Sequence, residues 1–206
     1  RRRGRPDLRE ALHRNMNYGM EIVELPRRKK KLHHPRLVVL LDVSGSMDRY
    51  AKLLLQVVYA LGQRAGRVET FVFSTSLTRV TQEMRAPTFQ GALEQVGDKV
   101  RHWSGGTRIG ESLKTLNGEF GQLLERNTTL VLLSDGWDTG TPDDLAEELA
   151  KLKRRVYQVV WLNPLLGTPD YQPLTQGLKA ARPYVDLFAS ARNLEQLKRL
   201  PAYLKK

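Results

Sequence analysis

The chain contains no cysteine. It therefore holds no disulfide, no thiolate metal site and no cysteine nucleophile, and it fits a cytoplasmic protein. No apolar run approaches the length of a membrane-spanning helix and no secretory leader is visible, so membrane insertion is not expected. Histidine is scarce, at 4 residues. His33 and His34 are adjacent and would point apart, which suits a polar linker better than a metal pair. His102 is the only histidine between the first strand and the C-terminus, so a Ser-His-Asp assembly has no evident geometry. The nucleophile-elbow pattern Gly-x-Ser-x-Gly and the phosphate loop Gly-x-x-x-x-Gly-Lys are both missing. These absences point away from an enzyme.

Acidic residues are outnumbered, 22 against 34 Lys and Arg, for a formal net charge of +12. Residues 1 to 36 carry about 12 basic side chains against about 4 acids, roughly +8 of that total. This suits a partner of negative charge, whether nucleic acid, a membrane surface or an acidic protein; the alternative is a solvated arm, or arginines packed on neighbouring acidic surface. Aromatics make up only 7% and barely interleave with the charges, which disfavours nucleic acid. The length suits one domain with an extension: a basic segment over 1–35 and a folded domain over 36–206. The first residue is Arg rather than Met, so the chain is expected to be a piece of a longer one.

What is present centres on Val38-Val39-Leu40-Leu41-Asp42-Val43-Ser44-Gly45-Ser46-Met47. A short apolar run bounded by turn residues reads as a strand buried on both faces. Tyr50 to Leu61 has helical apolar spacing, with a helix expected over 49–63 and the turn of the helix beginning at Met47. Asp42, Ser44 and Ser46 alternate in an extended segment, so they can converge where the strand becomes the helix. One carboxylate and two hydroxyls without His or Cys form a hard-oxygen set suited to magnesium, manganese or calcium.

Around this turn the pattern alternates. Short apolar or β-branched runs predict strands over 37–42, 68–73, 128–133, 156–162 and 184–188, with a short edge strand over 77–81. Helices are expected over 7–12, 88–100 with Thr88 as cap, 109–124, 142–153 with Pro142 at the start, 174–181 and 193–204; Met20 to Leu25 reads as a further strand. Such alternation implies an α/β fold, doubly wound, with a mostly parallel sheet flanked by helices and a short antiparallel edge strand. Two further oxygen-bearing loops stand out: Thr107, after Gly105 and Gly106, and Asp135, at the end of an apolar strand. If the strands leading to Asp42 and Asp135 are neighbours, both carboxylates reach the same sheet edge. Each residue also has a purely structural alternative: Ser44, Ser46 or Thr107 as a helix cap, Asp135 as a turn former. Asp138 reads as an exposed turn residue, with a supporting role for the site as the alternative. Trp137 and Trp161 are left open between core packing and a contact rim.

Asp-x-Ser-x-Ser, a distant Thr and a distant Asp, in this order, resemble the von Willebrand factor A domain and its metal-ion-dependent adhesion site. The resemblance implies that Ser44, Ser46 and, in some states, Thr107 touch the metal directly, while Asp42 and Asp135 act largely through water. Arg3-Gly4-Arg5-Pro6-Asp7-Leu8-Arg9, Leu41 to Met47, Gly105 to Gly110, Leu133 to Asp138 and Val160 to Leu165 look like the CoxE-like branch. That branch is bacterial and cytoplasmic, and its members are commonly encoded beside a MoxR-type AAA+ ATPase implicated in maturing metal centres. The resemblance thus implies a binding module with Mg2+ (or Mn2+ or Ca2+) that captures an acidic side chain of a partner. The partner would be the AAA+ ATPase or a client metalloenzyme. It also makes the basic segment a family feature rather than a nucleic-acid arm. Nucleic-acid binding through that arm, or metal-dependent hydrolysis, remain the alternatives.

Overall fold

A computed structural model describes residues 36–65, 67–100, 106–168, 171 and 175–192. The chain divides into two units, residues 1–34 and 35–206, and all described residues belong to the second. The expected helix over 7–12, strand over 20–25, basic run 27–31, His33, His34, His102, the Trp103–Gly105 loop and the helix over 193–204 lie outside the described residues.

Six strands form one sheet: β1 Arg36–Asp42, β2 Val68–Phe73, β3 Leu77–Arg79, β4 Thr128–Leu133, β5 Gln158–Asn163 and β6 Leu187–Ser190. Their order is β3-β2-β1-β4-β5-β6. All neighbours pair in parallel except β3, which runs antiparallel to β2 at the edge. The helices are α1 Asp48–Ala65, α2 Phe89–Lys99, α3 Ile109–Glu119, α4 Pro142–Arg155 and α5 Gln176–Ala181. Among the described residues no helix is long and apolar enough to cross a membrane.

The uninterrupted apolar run of β1 is explained by burial on both faces. Leu37, Val39 and Leu41 pack with Ala51, Leu54, Leu55 and Val58 of α1 and with Ala92 and Val96 of α2. Val38 and Leu40 face the other way, onto Ile109, Leu113 and Leu116 of α3 and Leu145, Leu149 and Leu152 of α4. A strand with its period-two side chains buried on both sides cannot alternate polar with apolar, and this one does not.

Local chemistry sets the helix starts. Thr88 Oγ1 accepts from Gly91 N at 3.2 Å. Thr141 caps α4 ahead of Pro142, and Thr175 caps α5. In α4 Asp143 and Asp144 occupy the first turn and Lys153, Arg154 and Arg155 the last, matching the helix dipole.

Several boundaries differ from expectation. A 3-10 turn over Gly45–Met47 precedes α1, so the regular helix starts at Asp48. α3 stops at Glu119 rather than at 124. The Phe120 ring turns edge-on to Phe71 at 4.9 Å, and Arg155 donates to the Gly121 carbonyl at 2.7 Å, closing the helix end. A Cβ at Gly121 would lie 2.8 Å from that guanidinium. β5 begins at Gln158 because Val156 still closes α4, its N–H bonded to the Leu152 carbonyl. β6 begins at Leu187 rather than at 184, because a 3-10 turn over Arg182–Tyr184, with Pro183 in its middle, takes up the expected first residue. β3 ends at Arg79, and Val80 and Thr81 turn inward and are buried.

The chain leaves β1 toward β2 on one side and returns to β4 on the other. α1 packs on one face and α4 on the opposite one. The loops after β1 and β4 therefore diverge, opening a crevice at the carboxyl ends of these two strands. That switch point is where open α/β sheets bind ligands.

Candidate metal centre

β1 and β4 are hydrogen-bonded neighbours, with Leu41 beside Leu133. Asp42 closes β1, and Asp135 follows β4 by two residues. Both are fully buried at the same edge of the sheet. Asp42 has each oxygen engaged: Oδ1 accepts from Ser44 N at 2.9 Å and Oδ2 from the Ser134 hydroxyl at 2.6 Å. Ser134 Oγ in turn accepts from Gly136 N at 3.0 Å, so one hydroxyl ties the two loops together. Asp135 Oδ1 accepts from Trp137 N at 3.0 Å, while its Oδ2 is buried with no hydrogen-bond partner.

The hydroxyls sit above these carboxylates. The Ser44 and Ser46 Oγ atoms are 3.3 Å apart. Ser44 precedes the 3-10 turn but makes no side-chain cap bond, so capping does not account for it. Thr107 is no cap either, since Arg108 occupies that position of α3. Instead the Thr107 loop is tied down by its neighbours. Its carbonyl accepts from Thr139 N at 2.9 Å and Thr139 Oγ1 at 2.7 Å, and Arg108 N donates to the Ser74 carbonyl beyond β2 at 2.8 Å. Ser44, Ser46, Gly106, Thr107 and Trp137 line one cleft of about 670 Å³.

The five residues named from the sequence are thus brought together, with the three hydroxyls at the cleft and the two carboxylates beneath. The turn-forming alternative for Asp135 is also realised, but through one oxygen only. Asp138 differs from expectation: it is half-buried, and its Oδ1 accepts from Ile109 N and Gly140 N, both at 3.0 Å. It therefore caps α3 from another loop, which links the Thr107 and Asp135 segments. Trp161 is core, fully buried, with Nε1 donating to the Ser134 carbonyl at 3.0 Å, whereas Trp137 is 59% exposed.

Sequence reading missed Ser134, Asn163, Tyr171 and Thr175. Asn163 Nδ2 and the Tyr171 hydroxyl donate to the Asp135 carbonyl at 3.0 and 2.6 Å, and Thr175 Oγ1 donates to that of Gly136 at 3.1 Å. A signal existed for two of them: Ser134 directly precedes Asp135, and Asn163 ends an apolar strand at the same sheet edge.

Burial pushes the Asp42 carboxyl up from 3.8 to about 6, with the neighbouring Asp135 charge acting in the same direction and hydrogen bonds from Ser134 and Ser44 opposing. Among the described residues, no Lys, Arg or His pairs with either aspartate. Two buried carboxylates without a counter-charge are costly. Burial, an unpartnered Asp135 oxygen and three neighbouring hydroxyls fit a hard divalent cation with oxygen ligands. Among the described residues no group of three or more His, Cys, Asp or Glu could hold a metal in their place.

Comparison with solved structures agrees with this fold. The chain is similar to BatB, a conserved hypothetical protein from Bacteroides thetaiotaomicron, at 14% identity and TM-score 0.55, over 82% of this chain and 96% of that one. It is similar to a von Willebrand factor type A protein from Catenulispora acidiphila at 18% identity and TM-score 0.55, over 82% of this chain and 41% of that one. Proximal thread matrix protein 1 from the mussel byssus matches at 19% identity and TM-score 0.51, over 84% of this chain and 46% of that one. The chain thus spans less than half of the latter two. A comparison with curated proteins gives no match. The family model for VWA domain containing CoxE-like protein matches residues 1–197. With that match covering nearly the whole chain and the sheet topology agreeing, the chain belongs to the family of VWA domain containing CoxE-like proteins.

Proposed function

We propose that this chain is a metal-dependent protein-binding module rather than an enzyme. Ser44, Ser46 and Thr107 would hold a divalent cation, magnesium first, with Asp42 and Asp135 supplying negative charge from below. The observation that carries the reading is the pair of buried carboxylates, one oxygen of which has no partner. A bound cation would supply a Lewis-acidic position able to accept a carboxylate from a partner protein. The chain's own residues do the rest. Asp42 orients the Ser44 segment through its N–H, Ser134 holds Asp42, and Thr139 holds the Thr107 loop. Membership in the CoxE-like family supports a partner that is a MoxR-type AAA+ ATPase, or the enzyme whose metal centre it matures, in the cytoplasm.

Thermal unfolding with magnesium and with chelator tests the site. A cation at a hundredfold excess over its Kd adds about 2.7 kcal/mol, or roughly 5–10 °C in Tm for a domain of this size. The Asp135→Ala variant should lose that shift. An equal shift in the variant would place the cation elsewhere and overturn the reading. Capture of the ATPase by the wild type in magnesium, but not in chelator or by Asp135→Ala, tests the partner.

A further inference from the structure

Trp137 is held in solvent by bonds on both sides of it. Its own N–H is taken by Asp135 Oδ1. Before it, Gly136 has φ +81, and a Cβ there would fall 2.4 Å from Leu178 Cγ. The Gly136 N–H and carbonyl are fixed by Ser134 and Thr175. After it, Asp138 and Thr139 clamp the loop to the start of α3 and to Thr107. These bonds fix the backbone that carries the indole, and the residue is 59% exposed. The same chain buries Trp161 completely, one strand away from the site. An exposed tryptophan on a fixed backbone has only two side-chain torsions to lose when a partner covers it, which suits a binding anchor.

The rest of the cleft says what should lie beside it. Trp137 shares the cleft with Ser44, Ser46 and Thr107. Among the described residues its other side-chain walls are Thr139, Thr175 and one charged group, Asp138, and no described Lys or Arg lines it. A second or third carboxylate from a partner would meet Asp138, with Asp42 and Asp135 below. A single carboxylate at the cation is favoured, and further ones are not.

We propose that the site recognises a lone acidic residue with an apolar neighbour on the partner, the carboxylate at the cation and the apolar side chain on Trp137, rather than an acidic stretch. This rests on the metal reading above. The test uses fluorescein-labelled synthetic peptides and anisotropy, with the full chain in magnesium. One peptide carries a single Asp flanked by Gly and Ser, a second carries Leu beside that Asp, and a third carries three consecutive Asp residues. The Leu-bearing peptide should bind about tenfold tighter than the first, the equivalent of about 1.4 kcal/mol at a buried anchor. The triple-Asp peptide should bind no tighter than the single-Asp one. Trp137→Ser should erase the Leu preference and Trp137→Phe keep most of it, with the magnesium-induced Tm shift unchanged in both. A Leu preference absent in the wild type, or surviving in Trp137→Ser, overturns this inference and leaves the metal reading standing. Absence of any magnesium-dependent binding or Tm shift in the wild type overturns both.

Discussion

Replacing Asp42 with Asn should stabilise the metal-free protein while abolishing its response to magnesium. In the folded chain the Asp42 carboxyl titrates at about 6 rather than 3.8, chiefly because it is buried. A raised carboxyl pKa means that the folded state holds the proton more tightly than the unfolded chain. Above pH about 6 the folded protein carries the whole cost of a buried charge; between about 4 and 6 the cost fades; below about 4 it is gone. At about 1.4 kcal/mol per pH unit, the gap amounts to about 3 kcal/mol at neutral pH. Asn carries no charge and keeps an oxygen for Ser44 N. Its amide would face Ser134 Oγ, which now donates to Asp42 and accepts from Gly136 N. Losing that hydrogen bond costs about 1 kcal/mol. The balance favours the variant by about 2 kcal/mol, or roughly 4–8 °C in Tm. Thermal or urea unfolding in chelator, at pH 5 and pH 7.5, measures it. The advantage of Asn over Asp should grow with pH. Magnesium should raise the Tm of the wild type alone. A variant less stable than the wild type in chelator at pH 7.5, or a gap independent of pH, would refute the burial argument.

Gly136→Ala should destabilise the domain by about 2–4 kcal/mol, combining a left-handed backbone with overpacking against Leu178. Adding Leu178→Ala should recover part of the loss, and additive costs in the double mutant would show that the two residues do not clash. Asp138→Ala should cost about 0.5–2 kcal/mol as a lost cap, and calorimetry should show weaker magnesium binding because the Thr107 segment is freed. Asp138→Asn, which keeps an oxygen for Ile109 N, should retain most of both; equal losses in the two variants would mean that the charge rather than the cap matters.

Much of the fold was legible because its signals are local. β2 and β4 have the bounds expected from their β-branched and apolar runs, and Thr88 and Pro142 mark helix starts by side-chain and ring chemistry that acts within one turn. The end of α3 was misread because remote groups, Arg155 and Phe71, set it. Asp138 was misread for the same reason, since the N–H it caps is 29 residues away.

The sequence by itself determined the chemistry of the site. Asp42, Ser44, Ser46, Thr107 and Asp135 are all hard oxygen donors, and two-face burial of β1 follows from its unbroken apolar run. Only the tertiary structure decided that the donors form one site. It set β4 rather than another strand beside β1, which brings Asp42 and Asp135 to one edge. It also sent α1 and α4 to opposite faces, so that a crevice opens there. The exposure of Trp137 and the burial of Trp161 were decided at the same level. Indole chemistry is identical in both, and what differs is whether the surrounding loops leave it anywhere to pack.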